Sequence, residues 1–303
     1  AISLNLTVGV LGELSLGHAG FMSVGAFSGV IAAIYFGQTI ENTAVVMILA
    51  MAVGGFFAAV VGVLVGVPVL RLSGDYLAIV TLAFGEIIKG IVNNLYVGMD
   101  ANGLHFCMIK NTLEMEGGKM LLNGPMGLTG IPRIATFTMG FVLIMVCLIV
   151  IFNLVNSKSG RAIMALRDNK IAAQSVGINV TSYKLMAFVI SAAMAGMAGV
   201  LFATNFSTVV ASKFDINTSI LILVFVVLGG LGSMRGSIIA ATVLTVLPEM
   251  LREFSEYRML VYAIVLIVMM IATNNATVKN ALDGFARKFS FKKKSEKGEN
   301  ANG

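Results

Sequence analysis

Glu86 and Lys89 stand three residues apart inside the apolar run 76–96. On a helix that spacing puts both on one face, where a carboxylate and an ammonium can pair. Glu86 lies about 15 Å past Tyr76 at a helical rise of 1.5 Å per residue. Charges that deep in a lipid-embedded helix cost roughly 2.5–3.5 kcal/mol each, so they must face protein or water. Two roles fit the pair: a structural ion pair, or a charge on a pathway or gate. Asn5 and Thr81 are further polar positions of the same kind. His18 follows Ser15 and Gly17 in a glycine-rich stretch. It fits a satisfied packing residue, or a pathway residue, because broken backbone at membrane depth lines cavities.

Other patterns lead away from catalysis. Gly229, Gly230, Gly232 and Gly236 look like a phosphate-binding loop, but no strand precedes them and both flanks are apolar. A turn or helix break is expected instead, with Arg235 capping it or snorkelling. No Walker A pattern, metal-ligand cluster or nucleophile triad occurs in the sequence. No catalytic residue, metal or bound cofactor is therefore assigned. Cys107 and Cys147 have no metal-ligand spacing and are not expected to pair.

The elements that position these residues follow from composition. Of 303 residues 57% are hydrophobic and only 12% charged. A soluble domain carries about 25% charged residues. Half of that cannot cover a water-facing surface, which excludes a soluble enzyme and a nucleic-acid module. The expectation is an all-α polytopic transmembrane helical bundle. The 33 glycines fit, since glycine lets membrane helices approach closely. Apolar runs fall at 2–11 (short), 16–36, 45–67, 76–96, 134–152, 186–206, 219–228, 238–251 and 259–272, giving about eight or nine membrane segments, some broken or short. There is no Trp, and the six tyrosines lie at or near segment ends, where amphipathic rings settle. The chain opens on Ala1 inside an apolar stretch, so its true start is expected to be missing.

The net charge of +6 is concentrated in two places. Loop 153–185 holds Lys158, Arg161, Arg167, Lys170 and Lys184 against Asp168 alone. A polar basic tail covers 277–303. Both are assigned to the cytoplasm, which leaves loop 97–133 outside. The transmembrane domain then spans 1–276. Within the loop, Ile163, Leu166, Lys170 and Ala173 form one helical stripe. Ser157 or Ser159 starts a helix over 160–177 and Gly177 ends it. That helix either rests on lipid or docks into a partner.

Several stretches carry a resemblance. Ala172-Ala173 followed by Gly177 keeps the Ala-Ala-x-x-x-Gly core of the coupling motif of ABC-importer permeases, with Ile171 where a Glu usually leads. Leu4-Asn5-Leu6, Leu14-Ser15-Leu16-Gly17-His18-Ala19, the run from Arg71-Leu72-Ser73-Gly74-Asp75 to Gly85-Glu86-Ile87, Gly124-Pro125-Met126-Gly127-Leu128-Thr129-Gly130, Gly177-Ile178-Asn179 and Leu228-Gly229-Gly230-Leu231-Gly232-Ser233 resemble, in order, the branched-chain amino-acid permeases of LivM type. Met126 stands where that family commonly has Asn. The resemblance implies a non-enzymatic permease subunit in the bacterial cytoplasmic membrane. Its cargo would be leucine, isoleucine and valine, moved by alternating access. Implied partners are two ATP-binding subunits that use the ATP, a paralogous LivH-type permease and an extracytoplasmic substrate-binding protein. Asn5, Ser15, His18, Thr81 and Glu86 would lie along the pathway. Arg161, Arg167, Ala172, Ala173 and Gly177 would couple to the ATPase. Rival readings are a permease for urea, short amides or other amino acids, and an ion-coupled secondary transporter.

Overall fold

Long apolar runs fold as helices because a helix satisfies all of its backbone polar groups internally. A computed structural model describes residues 1–250 apart from 73, 101–102 and 109–117, together with 260, 263, 264 and 267. Most of the expected span 259–272 and all of the tail 277–303 lie outside the described residues. The first run is helical in two short pieces, α1 (Ile2–Asn5) and a π-helical turn (Leu6–Val10). Residues 11–17 form a non-helical link to α2 (His18–Phe36). Then come α3 (Thr43–Val69), with Pro68 in its last turn, α4 (Asp75–Asn93) and α5 (Phe137–Asn156). The connecting helices α6 (Lys158–Asp168) and α7 (Lys170–Ser175) lead to α8 (Val180–Ala203). A hairpin of α9 (Ile216–Gly229) and α10 (Met234–Met250) follows.

Among the described residues, five helices are long and apolar enough to cross a membrane: α2, α3, α5, α8 and the 211–229 segment that ends in α9. α4, which carries Asp75, Glu86 and Lys89, and α10, which is 17 residues long, are not among them. The outer faces are apolar rather than polar. Phe141, Val142, Met145, Val146 and Ile149 of α5 and Phe56, Val60, Leu64 and Val67 of α3 are all exposed. That is a lipid-facing surface, since such side chains are costly in water.

Two expectations need correction. The chain is not all-α: the 97–133 loop carries most of a five-stranded antiparallel sheet. The strands are β1 (Tyr96–Asp100), β2 (Gly103–Cys107), β3 (Lys119–Asn123), β4 (Leu128–Thr129) and β5 (Thr208–Val209), in the order β2-β1-β3-β4-β5. Val97 faces both Phe106 and Leu122 in the register. Val97, Leu121, Leu122, Leu128 and Val209 bury against Phe27, Val30, Ile88 and Val92, so the sheet caps one end of the bundle. The 160–177 helix is also two helices. Asn169 between them is extended, and its side chain accepts the N–H of Ala172 to start α7. Short Asn side chains compete with helical bonds in this way. Helices α6 and α7 lie at the end of the bundle opposite the sheet, one length of α5 away.

The centre of the bundle is a glycine junction. A Cβ on Gly25 would sit 2.3 Å from the Gly196 Cα, one on Gly54 2.7 Å from the Gly25 carbonyl oxygen, and one on Gly196 2.8 Å from the Gly54 oxygen. Helices α2, α3 and α8 therefore touch backbone to backbone. We expect Gly25→Val to destabilise the purified protein by about 1–3 kcal/mol or more, the scale of overpacking. It should lower the thermal-shift midpoint in detergent. Gly90→Ala, at a position with open space around it, should leave that midpoint at or above wild type.

Candidate functional site

Asn5 is fully buried at the end of α1. Its Nδ2 donates to the Ser233 carbonyl at 3.0 Å and the Ser237 hydroxyl at 2.7 Å, and its Oδ1 accepts the Gly232 N–H at 2.8 Å. The glycine cluster is thus the expected turn, between α9 and α10, and Asn5 clamps it. Gly230 and Gly232 have φ of 91° and 83°, a region where Cβ-bearing residues are strained. Gly9 packs flat on this turn: a Cβ there would lie 2.2 Å from the Gly232 nitrogen.

Beyond Gly9 the helix stops and the chain runs as the link 11–17. The Leu16 N–H donates to the Thr81 hydroxyl at 3.1 Å, which itself donates to the Ala78 carbonyl at 2.9 Å. The Ala19 N–H, in the first turn of α2, donates to the Ser219 hydroxyl at 3.2 Å. Side chains from α4 and α9 thereby satisfy backbone that no helix ladder reaches. His18 lies 3.0 Å from the Ser3 hydroxyl and 3.3 Å from that of Ser191, both through Nε2. Ser191 gives its proton to the Ser3 carbonyl at 2.5 Å. A hydroxyl has one proton, so the Ser191 oxygen must accept from His18 Nε2–H. His18 Nδ1 is then a bare acceptor, and it is buried without a hydrogen-bond partner. Thr7, Ser15 and Ser23, on the same stretch of chain, also have buried hydroxyls without partners. Asn5, Ser15, His18 and Thr81 thus gather around one broken segment. Glu86 stands apart, on α4 next to the close approach of Gly85 and Gly20, and pairs with Lys89 as its spacing predicted.

One pair escaped the sequence. Lys184, counted among the loop charges, lies in the second turn of α8 and is buried, with its ammonium against the Glu13 carboxylate. Their side chains are 4% and 12% exposed, against 25% and 34% for Lys89 and Glu86. The partners are far apart in sequence, and no helical spacing links them. The only signal was an acid in an otherwise apolar N-terminal stretch.

The loop residues divide by direction. Ser157 starts α6 by accepting the Gly160 N–H at 3.1 Å. Arg161 turns back to the Asn156 carbonyl at the end of α5, 3.2 Å away. Arg167 reaches inward: its Nη1 donates to the Gly9 carbonyl at 2.9 Å, and its stem lies over Gly12. Ala173 is also inward, buried with Leu166 and Val180. Lys170, placed on the same stripe by periodicity, is exposed because the break at Asn169 shifts the phase. Gly177 has φ of 85° and ends α7 as expected. Its N–H bonds the Gln174 carbonyl while that of Ile178 bonds Ala173, the paired closure of a Schellman turn. Facing outward are Ala172 and the apolar side chains of Ile171 and Val176, 80% and 75% exposed.

Residues 1–273 match the family described as the branched-chain amino acid transport system permease component. The chain belongs to this family. It is 38% identical over 281 residues to the high-affinity branched-chain amino acid transport system permease protein LivM of Escherichia coli K12, and 37% identical to the protein of that name from Salmonella typhimurium. Each alignment covers 89% of this chain and 64% of the relative, so the chain spans less than two-thirds of their length. It is also 26% identical to the probable ABC transporter permease protein YphD of Escherichia coli, over 64% of this chain and 56% of that protein. No solved structure matches it.

The Glu13–Lys184 and Glu86–Lys89 pairs differ in burial, and so in what breaking them costs. Glu13→Gln leaves a buried cation alone, which destabilises by about 3–5 kcal/mol. Glu86→Gln breaks a part-exposed pair worth about 0–1 kcal/mol. Thermal unfolding in detergent should rank them in that order, with Glu13→Leu/Lys184→Met recovering most of the loss. Equal effects would mean that burial does not distinguish the two.

Proposed function

We propose that this chain is the membrane permease subunit of an ABC importer and moves leucine, isoleucine and valine across a bacterial cytoplasmic membrane by alternating access. The observation that carries this reading is the 38% identity to a LivM protein across 89% of the chain. Two ATP-binding subunits, a paralogous LivH-type permease and an external substrate-binding protein complete the assembly. The α6–α7 end and the basic tail 277–303 face the cytoplasm, and the sheet faces outward. Asn5, Ser15, His18, Thr81 and Glu86 lie along the pathway. The bare His18 nitrogen suits an ammonium group passing the broken segment, since a neutral imidazole nitrogen accepts and carries no repelling charge.

Coupling uses both directions of the α6–α7 element. Ile171, Ala172 and Val176 meet the ATPase, and Gly177 closes the turn that holds them. Arg161 fastens the element to α5, and Ala173 locks α7 onto α6. Arg167 grips the Gly9 carbonyl, and Gly9 rests on the Gly232 turn that Asn5 holds. Displacing α6 therefore displaces two helix breaks together, which is what re-aiming a pathway requires.

In proteoliposomes with both permeases, both ATPases and the binding protein, leucine uptake should depend on ATP and on loaded binding protein. Uptake driven by an ion gradient without ATP would overturn the reading. Arg167→Ala should leave the ATPase bound and its basal hydrolysis intact. It should cut uptake by roughly tenfold, within the range of a 1–3 kcal/mol coupling between sites. For orientation, Glu41→Cys at the sheet end should react with impermeant maleimide on intact cells, and Lys170→Cys should not; the reverse pattern inverts the topology.

A further inference from the structure

A cavity of about 820 Å³ lies at the sheet end between the α9–α10 hairpin and the start of α2. That is within the range of small-molecule sites, roughly 300–1,000 Å³. Its wall is apolar, with Met22, Phe202, Ile222 and Phe225, and two opposite charges sit in it, Lys213 and Asp215. These charges form no ion pair with each other. The Lys213 ammonium lies 4.6 Å from the centre of the Phe206 ring. The Asp215 carboxylate accepts the Thr218 N–H at 2.9 Å on one oxygen and the Asn217 amide at 2.8 Å on the other. Each carboxylate oxygen keeps acceptor capacity after one such bond.

We propose that this cavity is a binding site for a free aliphatic α-amino acid in its zwitterionic form. Lys213 takes the carboxylate, Asp215 takes the ammonium, and the aromatic and aliphatic wall takes the side chain. A cation and an anion held apart over an apolar wall complement a molecule with those same three parts. The place suits a site of entry. Met22 is one turn past His18, and Thr218 precedes Ser219, whose hydroxyl accepts from Ala19 beside the broken segment. The inference rests on the permease reading and names where the cargo first docks in this chain.

Ser212 is exposed on the cavity wall. Ser212→Cys in a Cys107→Ser background, within the reconstituted complex, gives a maleimide-reactive probe there. Leucine at about ten times its half-saturating concentration should slow labelling roughly tenfold, by simple occupancy. At that concentration 4-methylpentanoate, which lacks the ammonium, and isopentylamine, which lacks the carboxylate, should not. Lys213→Met keeps the stem over Phe206 and removes the cation; Asp215→Asn keeps a capping side chain and removes the anion. Each should abolish protection, read within each variant as the ratio of labelling rates without and with leucine, because the neighbouring charge also sets the thiol's own reactivity. No protection by leucine, or equal protection by all three molecules, overturns the site. If Asp215→Asn does not fold, Lys213→Met and the three ligands decide alone. ATP-driven leucine uptake measured on the same vesicles separates the two conclusions. Uptake without protection sinks the site and spares the permease reading; protection without uptake does the reverse.

Discussion

Gly25, Gly54 and Gly196 hold the backbones of α2, α3 and α8 in mutual contact, and the rest of the bundle has to accommodate that contact. Helix α8 is 24 residues long, and His18, at the first residue of α2, lies beside Ser191 near its middle. The junction fixes this stagger, because sliding α2 along α8 by a turn would drive a Cβ into backbone. Chain entering α2 must therefore arrive at half height inside the bundle. That is why 11–17 is largely shielded and irregular, and why its polar groups need partners from elsewhere. Thr81 supplies one from α4, to Leu16; just outside the link Ser219 of α9 and Arg167 of α6 do the same for Ala19 and Gly9. In lipid an unmet N–H or carbonyl costs several kcal/mol. The hydroxyls and the guanidinium are thus consequences of where the glycines put α2.

The same constraint explains the buried ion pair. The link places Glu13 at the level of the second turn of α8, where Lys184 is the opposing cation. Neither charge would be tolerated there alone. Together they pin the low point of the link, as Asn5 pins the end of α1 and the hydroxyl of Thr81 pins Leu16. The segment is irregular but held along its length. An irregular backbone with fixed anchors can adopt a second arrangement when one anchor moves, while a continuous helix would have to bend.

Much of this was legible in the sequence for a simple reason: membrane burial makes helices long and apolar, so the runs from 16–36 to 238–251 mark their own positions. Ser157 and Gly177 were legible because caps are local chemistry, and Glu86 with Lys89 because their spacing is helical. What failed was non-local. Glu13 and Lys184 meet only through tertiary structure. The sheet at 96–129 has short strands, and its last partner, Thr208–Val209, comes from another part of the chain. Periodicity placed Ala173 on a stripe without saying whether the stripe faced the bundle or a partner, and a capping Asn split the stripe.

The direction of Arg167 bears most on mechanism. A basic residue on a connecting helix reads from sequence as a surface charge, for topology or for a partner's acid. Here it is the reverse: Gly12 has φ of 80°, and a Cβ there would meet the Arg167 stem at 2.5 Å. Glycine at 12 opens the groove through which the stem passes, and glycine at 9 leaves its carbonyl accessible to the guanidinium. A cation at a helix C-terminus is also favoured by the helix dipole, by about 0.3–1 kcal/mol at exposed sites and more when partly buried. The contact is therefore a polar anchor within the fold, shaped by two glycines that the sequence shows only as part of a glycine-rich stretch. The contact ties α6 to the helix break at Gly9, beside the packing of Ile163 against Leu6 and Val10.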